Sequence, residues 1–305
     1  MKYTVVLTAA FPNIAREILA GEFDVIEHPT EHNRTEDDVI TILADADAAI
    51  TLLQDPITRR VLESNPNLRI VSNFAVGYNN IDIDAARELG IVVTNTPGVL
   101  TEATADLTMA LVLAVTRRIV EGDHEIRTLG RCEWEPLKLL GASLQGKRLG
   151  ILGMGRIGTA VAKRADAFGM EIVGVRRGDS LDELLATSDI VSIHAPLSRE
   201  THHLIDAAAL AKMKPGAFLI NTARGALVDE NALCDALESG RLRGAGLDVY
   251  EFEPEVNPRL LRMKNVVVLP HIGSATVEAR NAMARIAATN VLLCLRGQEP
   301  LHRVS

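Results

Sequence analysis

Short apolar runs alternate with amphipathic stretches along almost the whole chain, and this alternation predicts its elements. Residues 3–7 and 23–27 read as strands, 37–45 as a helix, and 48–53, 70–74 and 91–94 as further strands, with 82–89 helical before the last. Regular βα alternation predicts a parallel sheet with helices on both faces. A break at Pro97 and Gly98 leads into residues 103–115, which are apolar on nearly every side of a helix. Such a helix must be buried nearly all round, by a second subunit or by a domain interface. A second βα series starts at Leu149, with strands at 190–194, 217–221, 244–247 and 266–269, and ends in a long Ala-rich helix over 274–295. Two α/β halves are implied.

Composition narrows the class without changing that picture. At 305 residues the chain suffices for two domains with cores of their own, and 47% hydrophobic against 24% charged residues is a globular balance. Aromatics are only 3%, so Ala, Val, Leu and Ile must form those cores. A net charge of −8 argues against nucleic acid as partner, because phosphate contacts need clustered Lys and Arg. Cys132, Cys234 and Cys294 are far apart and lack metal-ligand spacing, so reduced thiols in the cytoplasm and no metal are expected. The apolar start (residues 1–10) is short for a signal peptide and reads better as a first strand. Residues 103–115 are too few to cross a bilayer, contain Asp106 and stop at Arg117 and Arg118, so no membrane association is expected.

The chemistry begins at residues 147–158, where an apolar strand meets Gly153, Gly155 and Gly158 at the mouth of a helix. This is the dinucleotide-binding fingerprint in its required context. Gly153 permits the tight turn, Gly155 lets backbone approach a pyrophosphate, and Gly158 allows close helix–strand packing. Arg156 and Ile157 open the helix whose N–H groups and dipole favour an anion. The acid that would bond a ribose 2′-hydroxyl about 20 positions later is missing. The strand at 171–175 ends instead in Arg176 and Arg177. A carboxylate there repels a 2′-phosphate whereas guanidinium groups bind one, so NADP(H) is expected in preference to NAD(H).

Three further motifs follow strands of this half. Arg224 stands beside Gly225, Asp248 and Glu253 lie within six residues of each other, and His271 precedes the final helix. Arginine offers a planar fork to a carboxylate. Histidine can shuttle a proton, and a carboxylate beside it would hold its ring. Singly, each is an ordinary surface or capping residue; together in a nucleotide-binding half they point to one site.

These motifs, with residues 73–82 and 95–106, resemble the D-isomer-specific 2-hydroxyacid dehydrogenases, especially the glyoxylate/hydroxypyruvate reductase branch. The resemblance implies two Rossmann-like lobes with doubly wound parallel sheets, the coenzyme lobe inserted into a flavodoxin-like substrate lobe. The substrate lobe would be residues 1–97 plus 278–305, and the coenzyme lobe 98–277. It implies that Arg224 grips the carboxylate and keto oxygen, that His271 is the acid/base, and that Glu253 before Pro254 orients it. The N–H groups of Val76 and Gly77 would bind the carboxylate, with Leu53 touching the substrate. Thr101, Thr222 and Asp248 would lie along the nicotinamide, and His194, Ala195, Pro196, Thr201, Ala223 and Gly273 would complete the coenzyme site. Glu251 does not match the catalytic position and is expected to be solvated. Trp134 would reach a neighbouring active site or plug an interface; either implies a homodimer through the 101–145 region. Relatives carry a further short strand after the position of Arg177, and residues 178–185 look like a trimmed version.

The reaction so implied is hydride transfer to C2 of a small 2-oxo acid, glyoxylate or hydroxypyruvate, with a proton from His271 and no metal. Two other readings remain: a dehydrogenase of D-lactate-like, phosphoglycerate-like or bulkier acids, and a coenzyme-sensing interaction protein.

Overall fold

The computed structural model describes residues 2–29 and 33–305. The chain divides into two compact units, residues 1–100 with 275–305, and residues 101–274.

The first unit runs β1 (Thr4–Leu7), α1 (Ile14–Leu19), β2 (Asp24–Glu27), α2 (Glu36–Leu43), β3 (Ala48–Thr51), α3 (Arg59–Glu63), β4 (Ile70–Asn73), α4 (Ile83–Glu88) and β5 (Val92–Thr94). Its strands form one parallel sheet in the order β2-β1-β3-β4-β5. Every residue of β3 and β4 is buried, as befits parallel strands covered on both faces. Helix starts are set by local chemistry: Thr35 and Asp38 make a reciprocal capping box on α2, and the Asp82 side chain accepts from the Ala85 N–H to start α4.

The second unit runs α5 (Thr101–Thr116), α6 (Ile119–Leu129), β6 (Arg148–Leu152), α7 (Arg156–Ala167), β7 (Glu171–Val175), α8 (Asp182–Thr187), β8 (Ile190–Ile193), α9 (Ala207–Lys212), β9 (Ala217–Asn221), α10 (Glu230–Glu238), β10 (Leu242–Leu247) and β11 (Val266–Val268). Its parallel sheet has the order β11-β10-β9-β8-β6-β7. The strand leading into the glycine turn, β6, lies where the order reverses, between β7 and β8. Open α/β sheets bind ligands at the carboxyl ends of such strands.

The chain then returns to the first unit as α11 (Val277–Leu295), capped by Thr276, which packs on α1 and on β3, β4 and β5. Ser72 on β4 donates to the Ala287 carbonyl of α11 at 3.1 Å. Last, Val304 pairs with Val93 and Arg303 bridges Thr94, adding an antiparallel rim to β5.

Two α/β units with parallel sheets are what the alternation predicts. The elements depart from the expected bounds only at their ends: β3, β4, β8 and β11 stop a residue or two early, β1, β2 and β5 start one residue late, and β10 begins at Leu242. The burial of the apolar helix has a simpler source than expected. Helix α5 packs on α7, β9, β10 and β11 of its own unit, with Glu102, Asp106 and Ala110 left exposed. In contrast, α6 buries none of its residues.

Candidate active site

The glycine turn has the geometry its spacing requires. Gly153 sits at φ +102°, and a Cβ there would lie 2.7 Å from the Ala195 nitrogen, so the backbone after β8 presses against it. A Cβ at Gly158 would strike the Gly153 carbonyl. At Gly155, by contrast, a Cβ would meet nothing within 4 Å, and no side chain caps the helix start. The N-terminus of α7, including Arg156 and Ile157, is thus open to an anion, which fits a pyrophosphate. Arg176 and Arg177 are exposed just past β7, and the Arg176 N–H donates to Asp179 at 2.7 Å in a tight turn. From there the chain enters α8 directly, with no strand between.

The loop after β8 is held by its own polar groups. The Thr201 hydroxyl donates to the Pro196 carbonyl at 2.8 Å and accepts from the Ser198 N–H at 2.7 Å. Burial drives the His194 imidazole down to about 4, so it is neutral at pH 7, with Nε2 2.8 Å from the Ser192 hydroxyl. Thr222, after β9, bonds Thr108 of α5 at 2.9 Å.

Arg224 follows in extended conformation, its carbonyl accepting from Asn221 Nδ2 at 2.8 Å and its Nη1 donating to the Ala223 carbonyl at 2.6 Å. Burial works against the guanidinium charge, and the Glu253 carboxylate supports it. Glu253 itself is pushed up by burial, but more than offset by the hydrogen bond and charge of His271, the Tyr250 N–H and Arg224, which hold it below the ordinary carboxyl range. His271 Nδ1 lies 2.9 Å from Glu253 Oε2, and the Tyr250 N–H donates to Oε1 at 3.0 Å. With Nδ1 so engaged, Nε2 is the ring atom free to exchange a proton.

Two residues that the motif reading did not single out for this purpose fix the dyad. Asp248, at the end of β10, accepts from the Ile272 and Gly273 N–H groups, each at 2.7 Å, pinning both residues after His271. His271 needs such support, since its φ of +54° is unfavourable for a side chain with a Cβ. Burial raises the Asp248 carboxyl above its ordinary range against those amide bonds and the His271 charge. The Tyr250 hydroxyl donates to the Leu269 carbonyl at 2.8 Å, so Tyr250 holds the loop of Glu253 by its backbone and the strand end before His271 by its ring.

Glu251 departs from expectation. Its side chain is 8% exposed rather than solvated, because His203 Nε2 lies 2.6 Å from Oε1 and the Glu230 N–H reaches Oε2 at 3.3 Å. Neither partner is near it in sequence, so nothing local announces the contact.

In the first unit, Asp55 fixes the turn that carries Leu53. It accepts from the Leu52 N–H at 2.8 Å and the Thr8 hydroxyl at 2.5 Å and pairs with Arg34 at 3.3 Å. The Val76 carbonyl accepts from Asn95 at 2.8 Å and the Gly77 carbonyl from Asn73 at 2.7 Å. Peptide planarity then turns the Gly77 N–H away from Asn95. Thr101 opens α5 in the second unit, half-buried. Trp134 is 84% exposed and Leu137 80%, beyond the apolar side chains Ile119, Val120, Ile126 and Leu129 that α6 leaves in solvent.

Residues 109–273 match the family model for the NAD-binding domain of D-isomer-specific 2-hydroxyacid dehydrogenases. A glyoxylate reductase of Thermococcus litoralis is 50% identical over 278 residues, covering 86% of this chain and 84% of the relative. The chain belongs to the D-isomer-specific 2-hydroxyacid dehydrogenase family. It is therefore a nicotinamide-dependent oxidoreductase acting on 2-hydroxy and 2-oxo acids. Among solved structures, a protein of Thermus thermophilus superposes with a TM-score of 0.94 at 45% identity, covering 99% of this chain and all of that one. An NADPH-dependent glyoxylate/hydroxypyruvate reductase of Sinorhizobium meliloti, solved with NADP and malonate, gives 0.86 at 32% identity over 100% of this chain and 97% of that one. Among the described residues of this dehydrogenase, no helix is long and apolar enough to cross a membrane.

Proposed function

We propose that this dehydrogenase is an NADP(H)-preferring reductase of small 2-oxo acids, glyoxylate or hydroxypyruvate, with coenzyme on residues 101–274 and substrate groups from residues 1–100. The observation that carries the reading is the Glu253–His271 pair at 2.9 Å with the charge of Arg224 upon it. The bound coenzyme supplies the hydride. Arg224 offers its guanidinium fork to the substrate carboxylate and, with protonated His271, stabilises negative charge on the oxygen at C2. His271 Nε2 delivers the proton to that oxygen, while Glu253 holds Nδ1 and balances the imidazolium charge. Leu53 and the Val76 and Gly77 N–H groups belong to the same proposal as contacts of the carboxylate end.

The open N-terminus of α7 takes the pyrophosphate, with Gly153, Gly155, Arg156, Ile157 and Gly158 around it. Arg176 and Arg177 take the 2′-phosphate. Thr101, His194, Ala195, Pro196, Thr201, Thr222, Ala223, Asp248 and Gly273 line the rest of the coenzyme's path. The exposed apolar side chains from Ile119 to Leu140, Trp134 included, support a homodimer through 101–145. The free thiols of Cys132, Cys234 and Cys294 suit a reducing cytoplasm.

The test follows NADPH and NADH oxidation by absorbance with a panel of 2-oxo acids. Expected are turnover of glyoxylate and hydroxypyruvate and a lower KM for NADPH. Preference for bulky acids, or tight coenzyme binding with no turnover, would replace the reading with one of its alternatives.

A further inference from the structure

Two loops of the second unit bring together a set of metal-ligand side chains that the proposed reaction does not use. His202, His203 and Glu251 each offer one ligand atom, and the three atoms lie within 4.8 Å of one another. His203 Nε2 is 2.6 Å from Glu251 Oε1, and the His202 ring stacks on that of His203 with centroids 4.1 Å apart at 32°. Both loops are anchored. The His203 N–H donates to the Ala226 carbonyl at 2.9 Å, and Ile205 bridges Val228. The Glu251 N–H donates to Glu230 Oε1 at 2.7 Å, while Glu251 Oε2 accepts from the Glu230 N–H, so Glu230 and Glu251 clasp each other reciprocally.

A carboxylate that is 8% exposed is costly without a cation to neutralise it. An ion pair with His203 would suffice for that alone. It does not explain why a second imidazole is stacked at the same place, which a shared ion does. We propose that His202, His203 and Glu251 form a binding site for one divalent transition-metal ion of the zinc class. Two imidazole nitrogens and one carboxylate oxygen suit zinc and its neighbours rather than calcium or magnesium, which take oxygen ligands. Bonds of about 2.0–2.2 Å to a tetrahedral ion place its ligands about 3.3–3.6 Å apart. Side-chain rotation brings the present atoms to that spacing, with the ion displacing the proton between His203 and Glu251. His202 is exposed, which leaves the fourth position to water. The ion takes no part in hydride transfer. It ties the loop after β8 to the one carrying Glu253, so its effect is on stability.

Equilibrium dialysis of the full chain against Zn²⁺ alone, with Mg²⁺ in parallel, tests this. One zinc and no magnesium should be retained per chain, the melting temperature should rise with zinc, and Co²⁺ should give visible d–d absorption. His203→Gln and Glu251→Gln should abolish all three signals. His202→Gln, at an exposed position where a folding defect is not at issue, should raise Kd by about tenfold or more. Cys132→Ser, removing the exposed thiol, should change nothing. Failure of the wild type to retain zinc overturns the proposal, as does zinc retention with an unaltered thermal shift in His202→Gln and His203→Gln.

Discussion

Gly225, directly after Arg224, has no side chain where the Tyr250–Glu251 peptide crosses it. A Cβ there would overlap the Tyr250 carbonyl and the Glu251 nitrogen, all backbone atoms, where ordinary contact begins at 3.4 Å. Its φ is not in the left-handed region, so the obstacle is contact alone. Gly225→Ala must therefore drive one of the two backbones away by about an ångström or more, since packed interiors have no slack. Overpacking of this kind costs about 1–3 kcal/mol, which for a unit of this size lowers the melting temperature by about 2–4 °C per kcal/mol. The larger effect is on rate. The Tyr250 N–H holds Glu253 and Glu251 is clasped to Glu230, so the displaced peptide carries the His271 partner with it. Misplacement by about an ångström costs about a hundredfold in turnover. Initial rates of NADPH oxidation with glyoxylate at saturating coenzyme, beside thermal unfolding without ligand, measure both effects. Wild-type kcat and melting temperature in Gly225→Ala would refute the argument. Gly155→Ala is the companion: with nothing near its Cβ it should melt as wild type, while the KM for coenzyme rises because the methyl group meets the pyrophosphate.

Glu253→Gln replaces a charge-assisted hydrogen bond of about 1.5–3 kcal/mol, predicting a loss in kcat/KM toward the tenfold end of a range of about 10- to 150-fold, because the pair is partly solvated; undiminished activity would remove Glu253 from the mechanism. Replacing Arg176 and Arg177 together by Ser should raise the KM for NADPH about tenfold and leave that for NADH unchanged, whereas an equal rise in both would deny a 2′-phosphate role. Asp189 is pushed up by burial but more than offset by Lys214, the Arg148 N–H and Lys147, so its folded pKa lies below the ordinary value. Its contribution is present at neutral pH and lost as pH falls through that lowered pKa, so Asp189→Asn should be destabilised at pH 7 but approach wild type once the pH lies below that pKa, as read by thermal unfolding across an acid series. A constant difference across pH would show that the carboxylate charge is not what matters.

What the sequence shows and what it hides divide along a physical line. Demands made over a few residues are legible: alternating strands and helices, and a turn at Gly153 whose φ only glycine meets comfortably. The grouping of Arg224, Glu253 and His271 could be anticipated because each follows a strand of one parallel sheet, whose carboxyl ends must lie together. Glu251 could not be read, because what buries it comes from 48 residues upstream at His203 and 21 upstream at Glu230. Asp248 was legible as a site residue but not as the clamp on Ile272 and Gly273, which depends on the register of β10 beside β11. Helix α6 carries apolar Ile119, Val120, Ile126 and Leu129 yet buries none of its residues, so an apolar stripe in the sequence does not by itself announce burial.

The return of α11 to the first unit sets an order of events during synthesis. The chain that builds β1 to β5 is made first, yet the helix that covers β3, β4 and β5 lies beyond residue 275. Residues 101–274 are contiguous and can fold as soon as they clear the ribosome. At about 5–20 residues per second, the buried faces of Ile50 and Ile70 wait roughly 10–50 s for their cover. The older part of the molecule thus matures last, and a nascent chain stalled before α11 presents an uncovered apolar sheet to the chaperones that meet it.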